Sequence, residues 1–330
     1  MQKGLKKEYA IILIKIGLAI LLLLFLFKSG RLSVESIVLL FQGKNIPYLI
    51  LSCFFFLGSQ MLSAQRLLLL LRTINYQLSF YKSLYLTLVG IFYSNVIPGA
   101  IGGDLVKGYC LFKTEKDNKG TSAGIVVADR ILGLCGIIFV AGIFTLHILR
   151  KNRDLLLIYR SEILISITTV GMLFMLLIAL VLLGRRQHFR NKLRTVLSLV
   201  FRKNVFFQMA KGLGSILKYR KTLFYSFIIS IAIQLVSLAG LLSLCHISST
   251  EKLPAMVDLF AVSSIVMLFN IIPVTPGNIG WTELVASFGW SIIGSSGGAA
   301  IFFYWRIVCI FCSLPCGLSY VFIRKEARNK

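Results

Sequence analysis

Long uninterrupted runs of apolar residues recur along this chain, and they limit its fold more than any other feature. A helix needs about 20 mainly apolar residues to cross the hydrocarbon core of a bilayer. Of the 330 residues, 57% are hydrophobic and only 15% are charged, whereas a soluble domain carries roughly 25% charged residues. The sequence therefore predicts an all-α, polytopic integral membrane protein with one transmembrane domain over residues 1–330. Six full spans are expected, near residues 9–27, 46–65, 122–147, 163–183, 223–244 and 297–323.

Two further apolar segments are interrupted by proline and glycine. The first runs over residues 83–112 and is broken at 95–104 (NVIPGAIGGD); the second runs over 256–294 and is broken at 270–280 (NIIPVTPGNIG). Proline and clustered glycines break helices. Broken backbone survives in hydrocarbon only where it is buried in protein or lines a wet cavity. We therefore expect both segments to be re-entrant helical hairpins, which enter the membrane and turn back.

The distribution of basic residues predicts the orientation. The chain has 36 Lys and Arg against 12 Asp and Glu, a net charge of +24. If the N-terminus is cytoplasmic and both broken segments are re-entrant, 25 basic residues fall in cytoplasmic loops and 8 in outside loops. This bias agrees with the positive-inside rule. We expect a multi-pass protein of the cell inner (cytoplasmic) membrane with both termini in the cytoplasm.

The stretch 184–222 is a basic cytoplasmic loop in this topology, with eleven basic and no acidic residues. It is either a solvated loop or a segment that lies on the anionic cytoplasmic leaflet. In a soluble protein such a charge excess would suggest nucleic acid as a partner. Here the basic residues lie between apolar runs, so membrane lipids are the expected partners and nucleic acid is not.

The two broken segments resemble each other at an offset of 178 residues, PGAIG at 98–102 and PGNIG at 276–280. Each contains Asn-(Val/Ile)-Ile-Pro, and each is followed by an acid, Asp104 or Glu283, and then Leu-Val. Such an echo is typical of inverted-repeat transporters, whose site lies between broken helices, although turn chemistry alone also repeats Gly and Pro. Backbone N–H groups freed at the breaks can bind anions. The hairpin backbone positions are Pro98, Gly99, Gly102, Gly103, Pro276, Gly277 and Gly280.

Several ionisable residues fall at membrane depth, where charges are costly and usually functional. Cations there would bind a phosphate head group, because charge-assisted hydrogen bonds to phosphate are strong. The acids would hold those cations in place, bind an amino or sugar group, or carry a proton. The predicted substrate-binding residues are Asp104, Lys107, Asp129, Arg130, Glu283 and Arg306.

A purely structural role is the alternative for these charges. Arg66 and Asp104 would then lie at the membrane interface, with their side chains extended towards water. The remaining charges would form ion pairs that stabilise the fold: Asp129 with Arg130, and Glu283 with Arg306.

The sequence offers little support for a metal, a cofactor or catalysis. Cys309, Cys312 and Cys316 lie on one helical face, but zinc needs four ligands and the three histidines are distant in sequence. Small residues at a helix contact explain these cysteines better. No nucleotide-binding motif is present, and Ser63, Ser94 and Thr121 have no evident base beside them. We expect no metal, no cofactor and no enzymatic activity.

Three motifs together resemble a known family. Residues 97–107, IPGAIGGDLVK, resemble the Pro-Gly-Gly-x-Gly-Gly-Asp-x-x-Arg signature of the lysylphosphatidylglycerol synthase transmembrane family (flippase-like domain). Residues 129–133, DRILG, resemble its acidic-Arg-x-x-Gly element, and residues 276–283, PGNIGWTE, resemble its Pro-Gly-Gly-x-Gly-x-x-Glu motif. The likeness extends over about residues 10–323, and the motifs occur in the family's order.

The resemblance implies a bacterial or archaeal membrane protein that moves lipids between leaflets. In the best-known members the module moves an aminoacylated phosphatidylglycerol made by a fused cytoplasmic synthetase. This chain departs from that pattern, because it ends at Lys330, soon after the last expected span. We expect it to lack the synthetase domain. Lys107 also stands where the family has Arg, so a point charge replaces a planar fork that grips phosphate with two hydrogen bonds.

The leading hypothesis is a flippase or transporter of an anionic phospholipid or a lipid-linked intermediate. One alternative is a membrane enzyme, similar to a glycosyltransferase, that acts on a polyprenyl-linked sugar. It would need clustered carboxylates, and only Asp104, Glu115 and Asp117 come close. Another is a scaffold that binds anionic lipid through 184–222. The expected partner is an anionic or polyprenyl-phosphate-linked lipid; the sequence leaves open which lipid it is and whether copies form a homo-oligomer.

Overall fold

The structure, a computed structural model, describes residues 16–96, 102–114, 119–151, 216, 219–248, 254–272 and 274–326. Most of these residues are helical. No strand occurs among these residues, so the all-α prediction is confirmed. In chain order the helices are α1 (Ile16–Lys28), α2 (Val34–Leu40), α3 (Ile46–Arg72), α4 (Phe80–Val96), α5 (Gly102–Thr114), α6 (Lys119–Lys151), α7 (Arg220–Ser243), α8 (Cys245–Ser248), α9 (Met256–Phe269), α10 (Trp281–Ile292) and α11 (Gly298–Glu326).

Four helical stretches in the described residues are long and apolar enough to cross a membrane. Each coincides with a predicted span, at 46–65, 122–147, 223–244 or 297–323. The predicted span 163–183 and the start of 9–27 lie outside the described residues, so the full number of spans stays a prediction. The four stretches are Gly43–Arg72, Gly124–Leu146, Arg220–Ile247 and Gly298–Tyr320.

The second broken segment consists of two helices separated by an irregular stretch. Helix α9 ends at Phe269, a single 3-10 turn spans Pro276–Asn278, and α10 begins at Trp281. In the first broken segment α4 ends at Val96 and α5 begins at Gly102. Re-entry of these segments into the membrane stays a prediction.

The chain divides into two compact units. Unit 1 comprises Met1–Met61, Tyr85–Val106 and Leu235–Lys330, and unit 2 comprises Leu62–Leu84 and Lys107–Gln234. In unit 1 the helix α10 packs against both α9 and α11, and the rings of Trp290 on α10 and Tyr304 on α11 are buried. A Cβ added to Gly298 would lie 2.5 Å from the Ala286 carbonyl oxygen, so glycine lets α11 start directly against α10.

Unit 2 depends on a similar close approach. A Cβ at Gly136 on α6 would lie 2.8 Å from the Ser230 Cβ on α7. Small residues bring transmembrane helices together in this way, because the hydrophobic effect does not drive helix association inside lipid. The close approach of α6 and α7 positions the polar side chains described next.

Candidate functional site

A buried group of charges lies inside unit 2, where α3, α5, α6 and α7 each contribute a side chain. The Nε of Arg66 donates to Oδ1 of Asp129 at 2.8 Å, and its Nη1 donates to the Ser230 Oγ at 2.8 Å. The Nζ of Lys107 lies 3.6 Å from the second carboxylate oxygen, Oδ2 of Asp129. Arg66, Lys107 and Asp129 are referred to below as the charged cluster.

The surroundings of Arg66 fix its guanidinium group. The Ser230 hydroxyl donates to the Ser226 carbonyl at 2.8 Å, so a lone pair of its oxygen is free for Arg66. One turn beyond Asp129 on α6 lies Gly133, where an added Cβ would be 3.4 Å from the Nη1 of Arg66. The guanidinium therefore lies over a glycine that leaves room for it.

The charged cluster is almost completely removed from solvent. Arg66, Lys107 and Asp129 are 6%, 5% and 3% exposed. Two cations thus share one carboxylate at a depth where an unpaired charge costs several kcal/mol. Arg66 makes a short ion pair, whereas Lys107 lies beyond the roughly 2.7–2.9 Å of a charge-assisted hydrogen bond.

The second break in unit 1 depends on backbone that most residues avoid. Gly277, Asn278 and Gly280 have φ values of 58°, 53° and 79°, in the region that is strained for a residue with a Cβ. The Nη1 of Arg306 donates to the Gly277 carbonyl at 2.5 Å, and its Nη2 donates to the Asn278 carbonyl at 3.0 Å. Arg306 therefore holds two carbonyls of the turn that lie outside a regular helix, and the Asn278 carbonyl also accepts from the Thr282 hydroxyl at 3.1 Å.

Glu283 completes this arrangement from the first turn of α10. Its Oε1 lies 2.6 Å from the Nε of Arg306, and its Oε2 accepts the Gly280 N–H at 2.8 Å. A carboxylate at this place also suits the positive N-terminal end of α10. Glu283 is fully buried, and Arg306 neutralises its charge.

A network of neutral polar groups links the end of α9 to the turn. The Nδ2 of Asn278 donates to both the backbone and the side-chain oxygen of Asn270. The Thr282 hydroxyl lies 2.8 Å from the same side-chain oxygen, and the Thr275 hydroxyl donates to the Ile279 carbonyl at 2.8 Å. The break therefore has a defined conformation, in which side chains replace the hydrogen bonds that the helix loses there.

Within unit 1 the second break packs against α4 at the point where the first break begins. A Cβ at Gly277 would lie 2.7 Å from the backbone oxygen of Asn95, near the end of α4. On its other side, a Cβ at Gly280 would lie 2.7 Å from the Leu22 Cβ of α1. The absence of side chains at Gly277 and Gly280 therefore serves both the turn and its packing.

The structure gathers some of the predicted site residues and separates others. Lys107 joins Asp129, and Glu283 joins Arg306, the pair considered above as a structural alternative. Arg130 has an exposed side chain, outside the buried cluster. The backbone of Gly103 lies against Gly90 of α4. Pro98, Gly99 and the side chain of Asp104 lie outside the described residues, whereas Gly102 begins α5 and Pro276 begins the 3-10 turn.

Two participants were not assigned to the site by reasoning from the sequence. Arg66 was assigned an interfacial position as an alternative, but it is the tightest partner of Asp129, 63 residues away in the chain. Ser230 has no local signal, since serine is common in membrane helices and its role depends on how α6 crosses α7. An arginine inside an apolar run was the one usable hint for Arg66.

Comparison with known proteins gives the family. The lysylphosphatidylglycerol synthase TM region matches residues 12–316. The chain is 27% identical over 309 residues to the UPF0104 membrane protein PH1989 of Pyrococcus horikoshii, with 85% of this chain and 86% of that protein covered. No solved structure matches the chain. This multi-pass membrane protein therefore belongs to the lysylphosphatidylglycerol synthase TM region family.

Proposed function

We propose that this protein moves a lipid with a phosphate-bearing head group between the leaflets of the cytoplasmic membrane. The lipid is an anionic phospholipid or a lipid-linked intermediate. The observation that carries the proposal is the charged cluster, in which two cations share one carboxylate and all three are at most 6% exposed. Such a group is costly inside a membrane protein and suits a phosphate anion.

The chemistry assigns different roles to the two cations. Arg66 is held by Asp129 and Ser230, both at 2.8 Å, so it keeps the cluster in shape. Lys107, 3.6 Å from Asp129, is the cation that turns to the phosphate. As the head group arrives, Lys107 takes the place of water around the phosphate oxygens. The acyl or prenyl chains stay in lipid. A cation inside the protein lowers the free-energy cost of moving the phosphate across the hydrocarbon core.

The broken segments supply the second part of the mechanism. The second break provides non-helical backbone that can line a polar path, and Arg306 with Glu283 holds its conformation. Arg130 and Asp104 are the further residues we assign to the head group, and no catalytic step is required of this chain. Both termini lie in the cytoplasm in this proposal.

The test is lipid movement in proteoliposomes that contain the purified full-length protein. Reporter phosphatidylglycerol, lysyl-phosphatidylglycerol and polyprenyl-phosphate lipids are compared for wild type and for Asp104→Ala, Arg130→Ala and Glu283→Ala, each checked for folding. We expect selective movement of at least one phosphate lipid by wild type, reduced about tenfold or more where a head-group contact is lost.

Three outcomes would contradict the proposal. Failure of the wild type to move any lipid of the panel would remove it, and binding of anionic lipid without movement would favour a scaffold. Transfer of a sugar to or from the polyprenyl-phosphate lipid would favour a membrane enzyme instead. The same vesicles serve for the assays of lipid movement and of sugar transfer, so the results distinguish a transporter from a membrane enzyme.

A further inference from the structure

Arg31 lies immediately beyond the C-terminus of α1, in a turn that fixes its position. Gly30 has a φ of 70°, as glycine does where helices end in the left-handed conformation. The Arg31 N–H donates to the Leu26 carbonyl at 3.1 Å, and the Gly30 N–H donates to the Phe27 carbonyl at 3.2 Å. These two hydrogen bonds form a Schellman motif, so the backbone of Arg31 is ordered.

The guanidinium of Arg31 reaches α10. Its Nη1 donates to the Ser287 Oγ at 2.8 Å, and its Cζ lies 4.5 Å from the ring centroid of Phe288. Ser287 is buried and 4% exposed, whereas the ring of Phe288 is 51% exposed. The arginine is thus stacked on an aromatic ring at the protein surface and oriented by a buried hydroxyl.

Two arginines meet the same face of α10, and their surroundings differ. Glu283 and Ser287 are four residues apart, which places them about one turn from each other on one face. Arg306 has a carboxylate and two backbone carbonyls. Among the described residues, Arg31 has a serine hydroxyl and an aromatic ring and no carboxylate within ion-pair distance. The planar guanidinium group of Arg31 has further N–H donors, which can bind an anion of matching geometry.

The surface that leads to Arg31 is apolar. On α1 the side chains of Ile20, Leu24 and Phe27 are 54%, 62% and 37% exposed, and their spacing places them along one side of the helix. This apolar side belongs to the helix that ends just before Arg31. A ligand that matches this surface has a phosphate at one end and acyl chains at the other.

We propose that Arg31 and Ser287 bind the phosphate of a membrane phospholipid whose acyl chains lie along α1. This site is separate in residues from the charged cluster and belongs to unit 1. The site concerns lipid binding alone, so its test does not depend on whether the protein moves lipids.

The test measures binding to the purified full-length protein in detergent micelles. Phosphatidylglycerol with brominated acyl chains quenches tryptophan fluorescence, and Trp281, Trp290 and Trp305 all lie in unit 1. Brominated diacylglycerol is the probe without phosphate. We expect Arg31→Gln to weaken phosphatidylglycerol binding about tenfold, to the level of diacylglycerol, because a charge-assisted hydrogen bond pair is lost. Ser287→Ala keeps the charge and loses its orientation, so a loss of about threefold is expected.

Lys28→Gln is the matched control, because it removes an equal charge from an exposed residue at the same helix end. It should change phosphatidylglycerol binding less than twofold. Equal losses in Arg31→Gln and Lys28→Gln would overturn the site in favour of diffuse surface charge. Competition by inorganic phosphate at equal concentration would identify a free-anion site and overturn the lipid assignment. If Arg31→Gln does not fold, unchanged binding in Ser287→Ala and Arg31→Lys would overturn the proposal by itself.

Discussion

Asp129 is the residue on which the buried charges of unit 2 depend. One of its oxygens accepts from Arg66 at 2.8 Å, and the other lies 3.6 Å from Lys107. Removal of one partner from a buried ion pair leaves a charge that neither water nor protein compensates, at a cost of about 3–5 kcal/mol. The carboxylate is therefore required for the fold.

Asp129→Asn should lower the free energy of unfolding by about 3 kcal/mol, since it leaves Arg66 and Lys107 without their shared anion. The effect is read from thermal unfolding in detergent, followed by circular dichroism. The double variant Asp129→Asn/Arg66→Gln should lose about 1–3 kcal/mol less than the sum of the two single variants. Losses that add within about 0.5 kcal/mol would mean that the two residues do not interact.

Residue types alone indicated that Lys107, Asp129, Glu283 and Arg306 were unusual, because ionisable groups inside apolar runs are rare. The pairing of Glu283 with Arg306 could be anticipated, since the two are 23 residues apart and lie in the two helices that follow the second break. The partner of Asp129 could not. Arg66 is 63 residues away, and only the packing of α3 against α6 brings them together.

At the scale of helices, the second break is a packed structure. Arg306 holds the carbonyls of Gly277 and Asn278, and the turn lies against Asn95 at the end of α4. Proline and glycine in the sequence predicted where α9 would end. They gave no indication that the first and second broken segments touch, because that contact depends on tertiary packing and not on local propensity.

Gly277→Ala should destabilise this contact. The new Cβ would lie 2.7 Å from the Asn95 oxygen at a φ of 58°, and steric strain with a left-handed residue costs about 1–3 kcal/mol. Thermal unfolding of the purified protein measures the loss. Gly142→Ala is the control: nothing lies within 4 Å of its added Cβ, so alanine in a helix should be neutral or stabilising by about 0.5–1 kcal/mol. Equal stability of Gly277→Ala and wild type would contradict this description of the turn.

At the scale of the whole molecule, the described residues of each compact unit include a set of buried charges. Unit 1 holds Arg306 with Glu283, and unit 2 holds the charged cluster. Composition and apolar run length were sufficient to predict an all-α membrane protein, because bilayer thickness leaves few other solutions. The division into units was not predictable, since helices α3, α4, α5 and α7 each contribute residues to both.

The most direct measurement of the central claim, that the charged cluster binds a phosphate head group, is the rate at which Lys107→Gln moves phosphatidylglycerol in proteoliposomes. Lys82→Gln is the matched control, because Lys82 is an exposed lysine of the same unit. We expect Lys107→Gln to be slower than wild type by about tenfold or more, since one charge-assisted contact to phosphate is lost, and Lys82→Gln to stay within about twofold. A folded Lys107→Gln variant that moves phosphatidylglycerol at the wild-type rate would contradict the claim.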